Sequence, residues 1–442
     1  MTERPAPDQR CFVSPAVEAT IERVAAGIAD AELARVFANA LPNTLDTTVD
    51  FRDGPRPDTF VITGDIDAMW LRDSTAQVWP YLALAPADAR LQRLLAGVVR
   101  RQVRCVLIDP YANAFNKDPA DSPWADDRTE MRPELHERKW ELDSLCSVIR
   151  LGHGYWQACG DSSPFDADWA RAMALALQTM REQQRRDGPG PYRFQRRALS
   201  PTDTLPFDGE GWPARPNGLI RSGFRPSDDA CQYPYLIPAN FMAVTSLRQL
   251  DALATALGRA ALATEARTLA DEVAAALPDR GVLPYETDGY GNALYMDDAN
   301  VPSLLSLPYL GAMAADDPRY RATRAFVLSD ANPFYFCGRA GRGIGGPHCG
   351  LGMIWPIALS MQALTSTDDA EILQCLAMLK ASHAGTGFMH ESFHQDDAAR
   401  YTRPWFAWAN SLFGELILTL DAQRPQLLRV PLPAVAGAGV IP

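Results

Sequence analysis

The sequence predicts an all-α protein, a toroid of helical hairpins whose long loops gather at one end. Three observations lead there. Helical periodicity dominates the 442 residues. Strand-like runs are few and short and never alternate with helices in βαβ fashion, so a doubly wound sheet is not expected. Elaborate loops recur about every second helix, without the short repeat of an open solenoid. No linker divides the chain, so a single domain is expected over 1–442, with its core at about 15–420.

In chain order, apolar residues at three- and four-residue spacing predict helices over 15–27, 31–41, 74–84, 87–108, 138–158, 166–185, 230–256, 259–276, 302–314, 318–328, 352–365, 369–382 and 404–420. The alanine-rich stretch 251–275 adds high intrinsic helix propensity. Strand-like runs fall at 58–63 (DTFVIT), 192–195 and 333–337. The end of the chain, 421–442, is rich in Pro, Gly and Val and reads as an extended tail. Long connections lie at 42–73, 109–137, 187–229, 281–300, 331–351 and 384–403, and loops of that length in a compact domain usually carry function.

Composition narrows the function. Hydrophobic residues are 47% of the chain, enough for a large core. A net charge of −12 argues against a nucleic-acid or anionic-membrane partner, which would need a basic face. A neutral substrate fits, although mild acidity also simply aids solubility. Eight scattered cysteines, at 11, 105, 146, 159, 231, 337, 349 and 375, form no CxxC and read as small buried hydrophobes in a reducing compartment. The N-terminal MTERPAPDQRCFVSP has no apolar signal-peptide region, and no run of 18 apolar residues occurs, so a cytoplasmic protein without a membrane span is expected.

Several loops share a chemistry: TGDIDAMWLRD (63–73), DPYANAFNKD (109–118), RSGFRPSDD (221–229), YETDGYGNALYMDDAN (285–300) and HESFHQDDAARYTRPWFAW (390–408). Trp and Tyr offer flat faces for the C–H side of a sugar, while Asp, Asn, Arg and His bind hydroxyls. Structural readings compete at each position. Asp73-Ser74 is a candidate helix N-cap, Trp70 a candidate core residue, and Arg72–Asp73 a candidate internal ion pair. Glycoside hydrolysis needs one protonated and one ionised carboxyl. Asp228-Asp229 suits the acid, because a neighbouring negative charge and the aromatic residues Phe224, Tyr233 and Tyr235 would raise a pKa. Arg225 would oppose that rise if it pointed at the acid. Glu391 suits the base, with His390 and His394 helping to keep it ionised. On the residues alone, Asp297-Asp298 is an equally good pair.

His390-Glu391-Ser392-Phe393-His394 also matches H-E-x-x-H, the zinc peptidase pattern, which needs both histidines one turn apart on a helix. Two glycines upstream oppose that helix, no HxxGxxH follows, and Glu415 is the one conceivable distant third ligand. Two ordinary loop histidines are a further reading.

Five segments, FVITGDIDAMWLRDSTAQVWPYL (60–82), IDPYANAFNKD (108–118), SGFRPSDDAC (222–231), YETDGYGN…MDDANVPSLLSLPYL (285–310) and HESFHQDDAARYTRPWFAWANSLFGELI (390–417), together resemble glycoside hydrolase family 125, the exo-acting α-1,6-mannosidases. The resemblance runs in order from about 30 to 420. It implies an (α/α)6 barrel and metal- and cofactor-free removal, with inversion, of non-reducing-end mannose from α-1,6-linked oligosaccharides. The family's general acid, the first Asp of its SDD segment, falls on Asp228, and its general base, the Glu of M-H-E, on Glu391. Motif membership adds Asp65, Trp70, Arg72, Asp73, Asp229, Asp297, Asp298, Asn300, His348, His390, Arg403 and Trp405 as expected substrate-binding residues, and no metal ligand. Asp67 departs from the proline expected there, which bears on the local turn. A zinc peptidase and a catalytically inactive sugar-binding barrel are the alternatives.

Overall fold

The computed structural model describes residues 3–198 and 200–435. Thirteen α-helices are found among them: α1 Pro15–Gly27, α2 Ala31–Ala40, α3 Asn43–Thr47, α4 Leu71–Val78, α5 Ala89–Ile108, α6 Leu142–Cys159, α7 Ala167–Gln183, α8 Ile237–Ala256, α9 Ala260–Ala276, α10 Pro318–Val327, α11 Pro356–Leu364, α12 Asp369–Ser382 and α13 Ala407–Gln423. They form the two-layered toroid that the sequence predicts. The inner ring runs α4, α6, α8, α11 and α13, with α13 closing back onto α4, while α2, α5, α7, α9, α10 and α12 lie outside. Inner helices are buried on nearly every side, as α4 and α13 show. The sequences of α11 and α13 are accordingly mostly apolar or small all round, whereas α4 buries Arg72, Asp73 and Gln77.

The sixth inner position corrects the sequence reading. Residues 302–314 form successive turns and no helix. Pro302 and Pro308 each remove a backbone donor. Local side chains then take the remaining amides: Ser303 and Ser306 bond each other's backbone N–H at 2.9 and 3.1 Å, and the Asp297 carboxylate accepts from Leu304 N at 2.8 Å and Leu305 N at 2.9 Å. Such side-chain bonds compete directly with a helical ladder. The segment still fills the ring. Tyr309 donates to Glu415 of α13 at 3.0 Å, and Gly311 sits against Thr245 of α8.

Helix starts also shift for identifiable reasons. α8 begins at 237 and not 230, because Pro234 interrupts the preceding stretch and Pro238 suits the first turn. α11 likewise starts at Pro356. α4 starts at Leu71, so Asp73 is inside the first turn and is no N-cap. The strand-like reading holds at Asp58–Val61 and Tyr335–Cys337, whereas at 192–195 the chain makes only an isolated bridge through Gln195. The tail is more ordered than expected. A 3-10 helix at Pro425–Arg429 buries Leu427 and Leu428, and Leu428 O accepts from Ala29 N at 2.8 Å. Burying two leucines stabilises that anchor by about 3–6 kcal/mol. Residues 436–442 of the expected extended tail lie outside the described residues.

The site depends on one recurring feature. Short two- and three-residue strands lead directly into inner helices: Met69–Trp70 into α4, Tyr235–Leu236 into α8 and Met353–Ile354 towards α11. These strands pair in three-stranded sheets with the long loops, which pins the loops at the N-terminal ends of the inner helices.

Candidate active site

Asp228 projects from a tight hairpin turn. Phe224 and Ala230 bridge across it, Arg225 N bonds Asp229 O at 2.7 Å, and Asp228 N bonds Arg225 O at 2.9 Å. Pro226 supplies the fixed φ that such a turn favours after its first residue. Asp228 itself has φ +67°. That left-handed conformation is uncommon for a residue with a side chain, though less so for Asp, and outliers of this kind cluster at functional sites. Arg225 does not face the acid. It bonds Glu286 at 2.6 Å on the other side of the turn. Ser227 donates to Asp298 at 3.2 Å, which ties the turn to the 297–300 loop.

The cation at Asp228 is Arg72, in the first turn of α4. Its Nη2 is 3.4 Å from Asp228 Oδ1, and its Nη1 bonds Glu141 at 2.5 Å and Asp143 at 3.0 Å. Asn113 Nδ2 lies 3.4 Å from both Glu141 Oε1 and Asp228 Oδ1. Lys139 Nζ donates to the Asp228 carbonyl at 2.8 Å and to Asp203 at 2.9 Å. Burial by itself would raise the Asp228 carboxyl. The Arg72 charge, a bond from Glu141 and the charges of Lys139 and His348 outweigh it and hold Asp228 below the usual carboxylate range. At Glu141, burial together with the charges of Asp228 and Asp143 outweighs Arg72 and drives the carboxyl well up. A proton in this pair is therefore held more readily by Glu141 than by Asp228.

Glu391 faces the same pocket from the opposite loop. Arg403 Nη1 is 3.4 Å from its Oε1, and Cys349 Sγ is 3.3 Å from its Oε2. Arg403 is held in turn by Asp65, through Nε at 2.9 Å. The cation beside Glu391 is thus Arg403 and not the flanking histidines that the sequence suggested. His390 is 1% exposed, stacks flat on Tyr401 at 3.7 Å and donates from Nε2 to His383 O at 3.3 Å. Burial drives its pKa down to about 4, so it is neutral. Ser392–His394 is a strand. The helical face that an H-E-x-x-H zinc site requires is not formed, and Glu415 is engaged by Tyr309 on α13.

Asp228 and Glu391 line one pocket with Thr63, Trp70, Arg72, Asp73, Ser227, Asn300, His348, Trp355, Arg403, Phe406 and Trp408 among its walls. Larger, more open grooves elsewhere, such as the one between α10 and 365–371, hold none of these groups. Of the expected residues, Trp70, Arg72, Asp73, Asn300, His348 and Arg403 reach the pocket. Asp73 accepts from Thr63 at 2.8 Å and lies 3.7 Å from Arg72 Nε, so the ion pair and the pocket wall coexist.

The other expected residues stand one layer back. Asp65 acts through Arg403. Asp229 meets His348 Nδ1 at 3.4 Å. Burial opposes charge on His348, but that bond and the charges of Asp229, Asp228 and Glu391 prevail and raise its pKa to about 9. Asp298 holds Asn300 and Ser227. Asp297 is wholly buried against the 303–306 turn, His390 lies behind Glu391, and Trp405 points at Asn43, 3.3 Å away. Asp67 is exposed at the tip of its turn, away from these groups.

Sequence reasoning missed Trp355, Phe406, Trp408, Asn113, Lys139 and Glu141 as site residues. Phe406, Trp408 and Asn113 lie inside the quoted motifs, so motif membership was a usable signal. Glu141 and Lys139 carried a weaker one, a charged run (ERKWELD) at the head of an otherwise apolar helix.

A family model described as metal-independent alpha-mannosidase (GH125) matches residues 30–418. The chain belongs to glycoside hydrolase family 125. This family 125 chain is 44% identical to the meiotically up-regulated gene 157 protein of Schizosaccharomyces pombe (strain 972 / ATCC 24843), over 97% of its own length and 90% of that protein. It is 41% identical, with a TM-score of 0.90, to a metal-independent alpha mannosidase of Streptococcus pneumoniae solved in a non-productive complex with alpha-1,6-mannobiose; the match covers 94% of this chain and 100% of that one. A GH78 family rhamnosidase of Bacillus sp. GL1 shares the fold alone, at 13% identity and a TM-score of 0.53, over 93% of this chain and 36% of that one. Family 125 membership makes the protein a glycoside hydrolase, an α-mannosidase on an α/α barrel.

Proposed function

We propose that the protein is an exo-acting, inverting, metal-independent α-1,6-mannosidase. The observation that carries this is the placement of Asp228 and Glu391 in one pocket, from loops more than 150 residues apart, each with its own guanidinium. Among the described residues, neither carboxyl bonds a donor that the other also bonds. That suits two separate roles across a ring. Asp228 gives its proton to the glycosidic oxygen as the C1–O bond breaks. Glu391 takes a proton from the water that attacks C1 from the opposite face. Such a water needs the carboxyls about 6.5–9.5 Å apart.

The pocket walls fit a polyol. Lining groups with a buried polar atom that lacks a hydrogen-bond partner include Trp70 Nε1, Asp73 Oδ2 and Trp355 Nε1. Native proteins leave few such groups, and sugar hydroxyls can satisfy both donors and acceptors. The exo mode rests on the resemblance of the motifs to family 125. The α-1,6 preference is supported by the likeness to the Streptococcus pneumoniae enzyme. Because the pocket draws on residues from 63 to 408, the toroid acts as one catalytic domain. The eight free cysteines support work in a reducing compartment such as the cytoplasm. Among the described residues, no helix is long and apolar enough to cross a membrane.

Proton NMR of α-1,6-mannobiose with the enzyme, with and without EDTA, tests the reading. Early β-mannose that ignores EDTA is expected. Early α-mannose would overturn inversion, and loss of activity in EDTA would overturn metal independence. Asp228→Asn and Glu391→Gln should each lower kcat by about 10²–10⁴ with unchanged thermal unfolding. Wild-type activity in either would refute its role. No hydrolysis by a folded wild-type protein that still binds mannose would instead mark an inactive barrel.

A further inference from the structure

A general acid must carry a proton when its substrate is bound, yet Asp228 sits against Arg72. The adjacent carboxyl, Glu141, is wholly buried, whereas the Asp228 side chain is 29% exposed to the pocket. Two full negative charges held this close would repel, which favours a proton on one of them. Both also share the Asn113 amide and opposite ends of one guanidinium. We propose that Glu141 is the proton partner of Asp228, a positioning residue that keeps the pair's single proton in the empty site and passes it to Asp228 when a sugar covers that carboxyl. The inference rests on the reading of Asp228 as general acid.

Charge balance supports it. Four carboxyls, those of Asp73, Glu141, Asp143 and Asp228, surround the Arg72 guanidinium. The other cations nearby are engaged elsewhere. Lys139 pairs with Asp203 and reaches Asp228 only through its carbonyl. Arg196 takes Glu137 and Asp127, and His348 takes Asp229. Across the pocket, Arg403 neutralises Glu391. One of the Asp143 carboxylate oxygens is buried without any hydrogen-bond partner, and a proton inside the cluster relieves repulsion among the four carboxyls that share one guanidinium.

Substrate binding shifts the balance. The sugar strips water from Asp228, and loss of hydration favours its neutral form. The proton moves from Glu141 to Asp228, and the negative charge left on Glu141 stays on Arg72 at 2.5 Å. Asp228 then protonates the leaving oxygen, which keeps the electron pair of the broken C1–O bond. Water supplies the oxygen at C1 and its proton goes to Glu391, so the site's net charge does not change. Proton return from Glu391 through solvent to the Glu141–Asp228 pair completes the cycle.

The test is the pH dependence of kcat/KM for Glu141→Gln on two substrates, α-1,6-mannobiose and 2,4-dinitrophenyl α-mannoside, whose leaving group needs no acid. The basic limb on mannobiose is expected to move to lower pH by about one unit or more. The loss on mannobiose at neutral pH should exceed that on the dinitrophenyl substrate by about tenfold or more. Glu141→Asp, which keeps a carboxyl, should restore part of the limb. Equal losses on both substrates with an unmoved limb would overturn the proposal and leave Glu141 a packing residue. If the Gln variant does not fold, infrared difference spectra of wild type against Asp228→Asn decide. A protonated-carboxyl band that changes with Asp228 is expected, and its absence overturns the dyad. Retention of mannobiose hydrolysis by Asp228→Asn would instead refute the acid assignment itself.

Discussion

His390 makes the sharpest thermodynamic prediction. It is 1% exposed and stacked on Tyr401, and this burial outweighs the carbonyls of His383 and Pro404, which favour the charged ring. Folding therefore lowers its pKa from 6.5 to about 4. Between those values the unfolded chain binds a proton that the folded chain refuses. Stability from this group is then complete above pH 6.5 and declines as pH falls towards 4. At 1.36 kcal/mol per unit, the drop amounts to about 3 kcal/mol. His390→Phe keeps the ring on Tyr401 and abolishes the titration. Urea unfolding of both proteins, followed by tryptophan fluorescence from pH 7.5 to 4, should show the wild-type advantage shrinking by about 3 kcal/mol across that window. A difference that stays flat with pH would refute the argument. So would one that grows as pH falls, because it would mean that His390 is charged in the folded protein.

Three further outcomes follow from contacts. Asp297→Ala leaves the amides of Leu304 and Leu305 buried and unpaired, for a loss of about 2–5 kcal/mol in stability, while KM for mannobiose stays within about threefold at 25 °C; a large rise in KM with unaltered stability would return Asp297 to the sugar site. Burial and the Glu391 charge push the Cys349 thiol up to about 12, so it is neither thiolate nor nucleophile at neutral pH: iodoacetamide should label it slowly, and Cys349→Ala should keep turnover within about threefold, because a thiol is a weak donor. In α5, a Cβ on Gly97 would collide with Thr59 Oγ1 and come within 3.0 Å of Thr59 N, so Gly97→Ala should cost about 1–3 kcal/mol, read as a lower midpoint in thermal unfolding.

The residue order by itself determined the architecture and nominated the carboxyl pair proposed to react. Apolar spacing records which helix face meets a neighbour, so the helices of the toroid were legible, with ends misplaced chiefly where proline or a capping side chain overrode the period, as at 230–236. The segment 302–314 kept a helix-like apolar pattern because it does fill an inner position of the ring. Its prolines, its serines and a distant Asp297 carboxylate decided its backbone. Asp228 and Glu391 could be named as candidates from their motifs because the proposed chemistry needs a carboxyl at each place. Only the closed ring decided what holds them. Arg72 reaches Asp228 across 156 residues of chain, and Arg403 reaches Asp65 across 338. Glu141, in no recognised motif, meets Asp228 because α4, α6 and the 225–229 turn converge. Local periodicity carries no information about such meetings, since they depend on how successive hairpins pack around the axis. HESFH shows the same limit: its composition allows a metal-binding helix, and pairing with Met353–Ile354 and Asp397–Thr402 makes it a strand whose glutamate faces the pocket.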